Sequence, residues 1–142
     1  MNEIDNLYSK DDKLAYDTLL YLEQMSANSN ELYAHFDELL DMLKNDKSFV
    51  RVRGFRLICA ISKWDVENKI NKNIELILNE LDDDKGTSIR QCLGKINLLL
   101  MYKNELSDII KNKLNGINLS KYKESMQSLI QKDIEKIFLN NF

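Results

Sequence analysis

A chain of 142 residues with no proline and only four glycines, at 54, 86, 94 and 116, has little material for tight turns. Short strands joined by hairpins draw on both residue types, because those turns need a preset φ or a positive one. Helices linked by polar loops do not. Apolar residues recur at spacings of three and four along most of the sequence, which is the helical period. An almost entirely helical chain is the expectation, as one domain over residues 1–142.

Seven amphipathic segments are predicted. The first runs from about Lys10 to Met25 behind a Ser9/Asp12 cap, with Leu14, Ala15, Leu19, Leu22 and Met25 on its apolar side. The second covers about 31–43. The third, about 49–62, is followed by Trp64 and by Asp65, a good N-cap for a fourth over about 66–81. A fifth is expected over about 87–101. A sixth, over about 105–114, is capped by Asn104 and ended by Gly116. A seventh begins at Ser120 and carries Met126, Leu129, Ile130, Ile134, Ile137 and Phe138.

The start of the chain, MNEIDNLYSKDDK, is polar and acidic, so no secretory signal is expected and the cytoplasm is the default location. No apolar run reaches the roughly 18 residues of a membrane helix. Cys59 and Cys92 stand alone in helical apolar pattern and read as reduced, buried small hydrophobes.

Two stretches repeat. Asp46 precedes Val50-Arg51, then Gly54, Leu57-Ile58 and Ile61; an acidic turn precedes Ile89-Arg90, then Leu93-Gly94 and Ile96 to Leu100. This pattern resembles the HEAT family of helical repeats: an acidic turn, an apolar-Arg pair, a small residue about three on, and a further apolar pair. The resemblance implies an all-α HEAT/armadillo-like superhelix with repeats at about 10–44, 47–82 and 86–115 and a capping helix at about 120–140. It also implies a ladder in which Arg51 and Arg90 reach acidic turns near Asp46 and Asp83 or Asp84. Stretches such as LYSKDDKLAYDTL and TSIRQC also resemble a group of small bacterial proteins, some carrying the iron–sulfur-assembly label SufBD. That function is not carried over, because proteins of that name are β-rich and this chain has no cluster-binding cysteine spacing.

At about 100° per residue, Val50, Gly54, Leu57 and Ile61 fall on one stripe of the third helix, and Val52, Phe55 and Cys59 on a second. Such a helix packs in the middle of a layer, with Gly54 admitting a close neighbour. Arg51 lies on one flank; Arg53 and Arg56 lie on the other and are expected to be exposed. Residues 47–64 hold five basic residues and no acid, whereas 65–85 hold seven acids and three lysines. Two readings follow for Arg53 and Arg56: a solvated edge paired within the chain, or a small contact site for an anion or an acidic partner, with Trp64 beside it.

No catalytic motif is present. His35, the only histidine, sits mid-helix with Glu38 and Asp41 and without a nucleophile placed by any motif. No metal site, cofactor or phosphate loop is expected. Lys63-Trp64-Asp65 resembles the Trp-Asp pair of HEAT-like DNA alkylation-repair glycosylases, which implies a DNA-binding alternative centred on Trp64 and Asp65. Against it, the second, fourth and sixth helices carry Glu31, Asp37, Asp41, Glu67, Glu75, Glu80, Glu105 and Asp108, a surface that repels phosphate, so nucleic acid is not the expected partner. The leading expectation is a non-catalytic protein-interaction module or small scaffold that holds a protein or peptide segment in the groove of those even helices.

Overall fold

The computed structural model describes residues 2–142, and every regular element among them is helical, with no strand. The α-helices are α1 Asp12–Ser26, α2 Phe36–Met42, α3 Ser48–Ala60, α4 Lys69–Lys72, α5 Ile74–Leu78, α6 Gly86–Leu93, α7 Ile96–Tyr102, α8 Ser107–Asn115 and α9 Glu124–Asn141. Short 3-10 helices, at Asn2–Tyr8, Glu31–His35, Ser62–Trp64, Asn79–Asp82, Asn104–Leu106 and Leu119–Lys121, precede or join them.

The elements outnumber the seven expected segments because three of those segments are broken. The fourth splits at Asn73, whose side-chain amide donates to the Lys69 carbonyl at 2.8 Å and so competes with the helical ladder. The fifth splits at Gly94-Lys95, where glycine weakens a helix interior. The second opens as a 3-10 turn before α2. Caps also move. Asp11, not Ser9, accepts the Leu14 amide and starts α1. The helix after Asp65 begins at Lys69 rather than Val66, past a turn with Asn68 at φ 55°. Asp65 still accepts the amides of Lys69 and Ile70, both at 2.9 Å, so it caps across that turn. α9 begins at Glu124, four residues beyond the expected Ser120.

Helix α3 lies against α1, α2, α6 and α7, and α9 lies against α6 and α7. α1, α3, the α6–α7 rod and α9 therefore form one row. α2, α5 and α8 contribute Leu39, Ile77 and Ile110 to the same continuous core. Both apolar stripes of α3 are buried, as a middle-layer helix requires. Gly54 is the point of closest approach: a Cβ there would stand 2.8 Å from Met42 Cβ and 3.0 Å from the Leu39 carbonyl oxygen. Cys59 and Cys92 are buried and unpaired. Leu14 and Leu129, expected on apolar faces, are exposed. Among the described residues no helix is long and apolar enough to cross a membrane.

Candidate functional site

The arginines define the most informative region. Arg53 and Arg56, expected to be exposed, are only 8% and 7% exposed. Arg53 donates to the carbonyls of Leu7 and Ser9, both at 2.9 Å, and its guanidinium lies 4.8 Å from the Phe49 ring centre. It thereby ties the N-terminal 3-10 turn to α3. Arg56 grips Glu23 of α1 with two bonds, at 3.1 and 2.9 Å, and donates to Gln91 of α6 at 3.0 Å. Of the two readings left open, pairing within the chain describes both side chains; the solvated edge does not.

Arg51 and Arg90 do form ionic links, with partners other than a simple ladder. Arg51 reaches forward to Asp83 at 2.9 Å and Glu80 at 3.1 Å, and donates to the Asn45 carbonyl at 2.8 Å. Arg90 binds Asp133 of α9, at 2.8 and 3.3 Å, and not Asp83 or Asp84. Asp46 receives neither arginine; its neighbour Asn45 supplies the carbonyl. Asp83 also accepts from Ser48 and from the Lys85 amide, and its own carbonyl accepts from the Tyr122 hydroxyl. Burial pushes the Asp83 carboxyl up, but bonds from the Lys85 amide, Glu80, Arg51 and Ser48 bring it below its usual range. Glu80 goes the opposite way. Burial and the neighbouring Asp83 carboxylate push it up to about 8, against the pull of Arg51. One Glu80 oxygen meets no donor when both groups are ionised; a proton on it makes a carboxyl–carboxylate bond to Asp83.

Trp64 is half-buried. Its indole N–H donates to the Ser26 carbonyl at 2.6 Å, and Lys63 stands 5.0 Å from its ring centre. The Asp65 side chain has no exposed surface. Burial pushes the Asp65 carboxyl up, but bonds from the Tyr33 hydroxyl, the Ile70 amide, Lys103 and the Lys69 amide bring it below the usual carboxylate range. The Tyr33 hydroxyl is itself pushed up to about 12 by burial and by Asp65. Lys103, buried, is 3.0 Å from that carboxylate and also binds Asn68. Sequence reasoning missed Lys103, because nothing local marks a lysine whose partner lies 38 residues away. His35 pairs with exposed Glu38 at 3.0 Å. No group of three or more His, Cys, Asp or Glu among the described residues is arranged to hold a metal.

Three clefts lie on the odd row, formed by the first, third, fifth and seventh expected segments (α1, α3, α6–α7 and α9). One, of about 530 Å³, is framed by Lys13 and Tyr16 of α1, Phe49 and Arg53 of α3, and Lys85 and Gln91 at α6. A second adjoins it through Thr87 and Gln91 and continues to Lys136 and Ile137 of α9. A third follows α1 and α3 to their far ends, with Leu20, Glu23, Ala60, Lys63, Lys95 and Tyr102. Phe49, Arg53, Arg56 and Ala60 are spaced by four, three and four residues and so share one face of α3. The first and third clefts are thus two ends of one face, separated by the Glu23–Arg56–Gln91 link. No protein-family model, curated protein or solved structure matches the chain. Its chemistry is read from this face: apolar floor, lysine rim, and two arginines fixed beneath.

Proposed function

We propose that the chain is a non-catalytic protein-interaction module, built of stacked HEAT-like helical hairpins, that receives a peptide segment of a protein partner. The observation that carries this reading is the run of clefts along α1, α3, α6 and α9. Stacked hairpins use their extended faces in this way. The face proposed is that of α1, α3, α6–α7 and α9, in place of the even-helix groove expected from the sequence. The unpaired Cys59 and Cys92 fit a reducing compartment such as the cytoplasm.

The glycosylase-like alternative needs Asp65 to touch a substrate. Its carboxylate is closed off and held by four donors, and Trp64 spends its one donor on Ser26. Both support a structural task for the pair. Selection of a random peptide library on the intact protein, repeated on a Lys85→Glu/Lys136→Glu variant of unchanged melting temperature, tests the interaction reading. A shared peptide motif lost on the variant is the expected result. Enrichment of no peptide, with tight salt-sensitive binding of duplex DNA, would transfer the function to nucleic acid.

A further inference from the structure

Charge is distributed unevenly over this molecule. Seven cationic side chains and three carboxylates line the three odd-row clefts, on a chain whose formal net charge is −3. The clefts carry a surplus of four positive charges while the remainder of the chain carries −7. The three carboxylates are each engaged: Glu23 by Arg56 and Lys95, Asp133 by Arg90, and Asp12 by Arg53 at 3.5 Å. Lys85 and Lys136 have no ion-pair partner among the described residues.

The positions of the charges matter as much as their sum. Lys85 and Lys13, the latter paired with Asp17 at 3.0 Å, stand at one end of the α1–α3 face, and Lys63 and Lys95, the latter 3.5 Å from Glu23, at the other. Between them the Glu23–Arg56 pair is internally neutral, and the floor is apolar, with Leu19, Val52 and Leu20. Helical rise puts the two lysine ends about 20 Å apart along α1. An extended chain covers that distance in about six or seven residues.

Resting on the interaction reading above, we infer that the occupant of this face is an extended acidic peptide segment with carboxylates near both ends and apolar side chains between them. The two carboxylate ends meet the lysine pairs, and alternate side chains in the middle lie on the apolar floor. A nucleic acid fits less well. Its phosphates are evenly spaced and uninterrupted, so they would cross the neutral, apolar middle of the face and feel the acidic remainder of the molecule.

The test uses the intact protein and fluorescein-labelled peptides of about nine residues, the length that spans the face with one residue to spare at each end. One peptide has acids at both ends and alternating leucine and serine between. A second replaces the acids by their amides, and a third moves the same acids to the centre. Short duplex DNA is the fourth probe. Anisotropy titrations at pH 7 are expected to show the acid-ended peptide binding at least about tenfold tighter than the amide and centre-acid peptides, with affinity falling as salt rises. Lys85→Gln/Lys63→Gln should weaken it about fivefold or more, whereas Lys72→Gln, an exposed lysine on α4, should change it by less than about twofold. Circular dichroism melts confirm that each variant is folded. Equal binding of the amide peptide overturns the charge inference and leaves the interaction module standing. So does equal binding of the centre-acid peptide, or an equal loss at Lys72. Tighter binding of DNA, or no binding of any peptide here or in the library selection, overturns both.

Discussion

Glu80→Gln should remove most of a pH dependence that the wild-type protein carries between mildly acidic and mildly alkaline conditions. The Glu80 side chain is 3% exposed, accepts from Arg51 Nε at 3.1 Å, and faces the Asp83 carboxylate. Burial and Asp83 push its acid up to about 8 from an ordinary 4.5. Between those values the folded chain holds a proton that the unfolded chain has released. Unfolding then sheds one proton, so stability falls as pH rises through the window and levels off above the folded value. One proton corresponds to about 1.4 kcal/mol per pH unit, or about 2 kcal/mol between pH 6 and 7.5. Glutamine reproduces the protonated side chain: its carbonyl accepts from Arg51 and its amide donates to Asp83. It has nothing to titrate. Urea melts of both proteins at pH 6, 7, 7.5 and 8.5, compared at equal slope, give the two curves. The variant is expected to gain about 2 kcal/mol on the wild type between pH 6 and 7.5. Parallel curves would show that Arg51 keeps Glu80 ionised throughout and that the buried cluster carries a full second negative charge.

Two further outcomes follow from the packing. Gly54→Ala should destabilise by about 1–3 kcal/mol in urea melts, because its methyl meets Met42 Cβ and a backbone oxygen that cannot step aside, outweighing the gain in helix propensity; Gly86→Ala, whose methyl would run into Met126 Cγ, should also destabilise but by less, because an unbranched methionine side chain can change rotamer where backbone cannot move. Arg53→Ala should cost at least as much as Arg51→Ala, about 1.5–3 kcal/mol in urea, because it frees one buried and one part-buried carbonyl and unfastens the first turn; a loss of less than about 0.5 kcal/mol would place Arg53 on the surface, as its sequence position suggests.

Part of this architecture is legible in the sequence because it is local. The two stripes of α3 can be read from spacing alone, and so can the role of Gly54, because burial on both sides leaves a helix with two apolar faces. The burial of Arg53 and Arg56 cannot be read that way. Arg53 is satisfied by backbone carbonyls, which leave no mark on residue identity, and Arg56 by a glutamate 33 positions earlier. Glu80 looked like one more acid on a polar helix; only the fold brings it against Asp83 under Arg51. The proposed peptide face is hidden from the sequence for the same reason: the acids of the second, fourth and sixth segments are visible in it, whereas the lysines of the proposed face are scattered from 13 to 136 and gather only when α1, α3, α6 and α9 lie side by side.

The most direct test of the odd-row face is a footprint of the acid-ended peptide on the protein by amide chemical-shift mapping. The expected result is that shifts concentrate on Lys13 to Ala27, on Phe49 to Ala60 along the Arg53–Arg56 stripe, and around Lys85 to Lys95. The amides of α2, α5 and α8 should stay unmoved. Shifts centred on those three helices, or spread evenly over the molecule, would contradict the account.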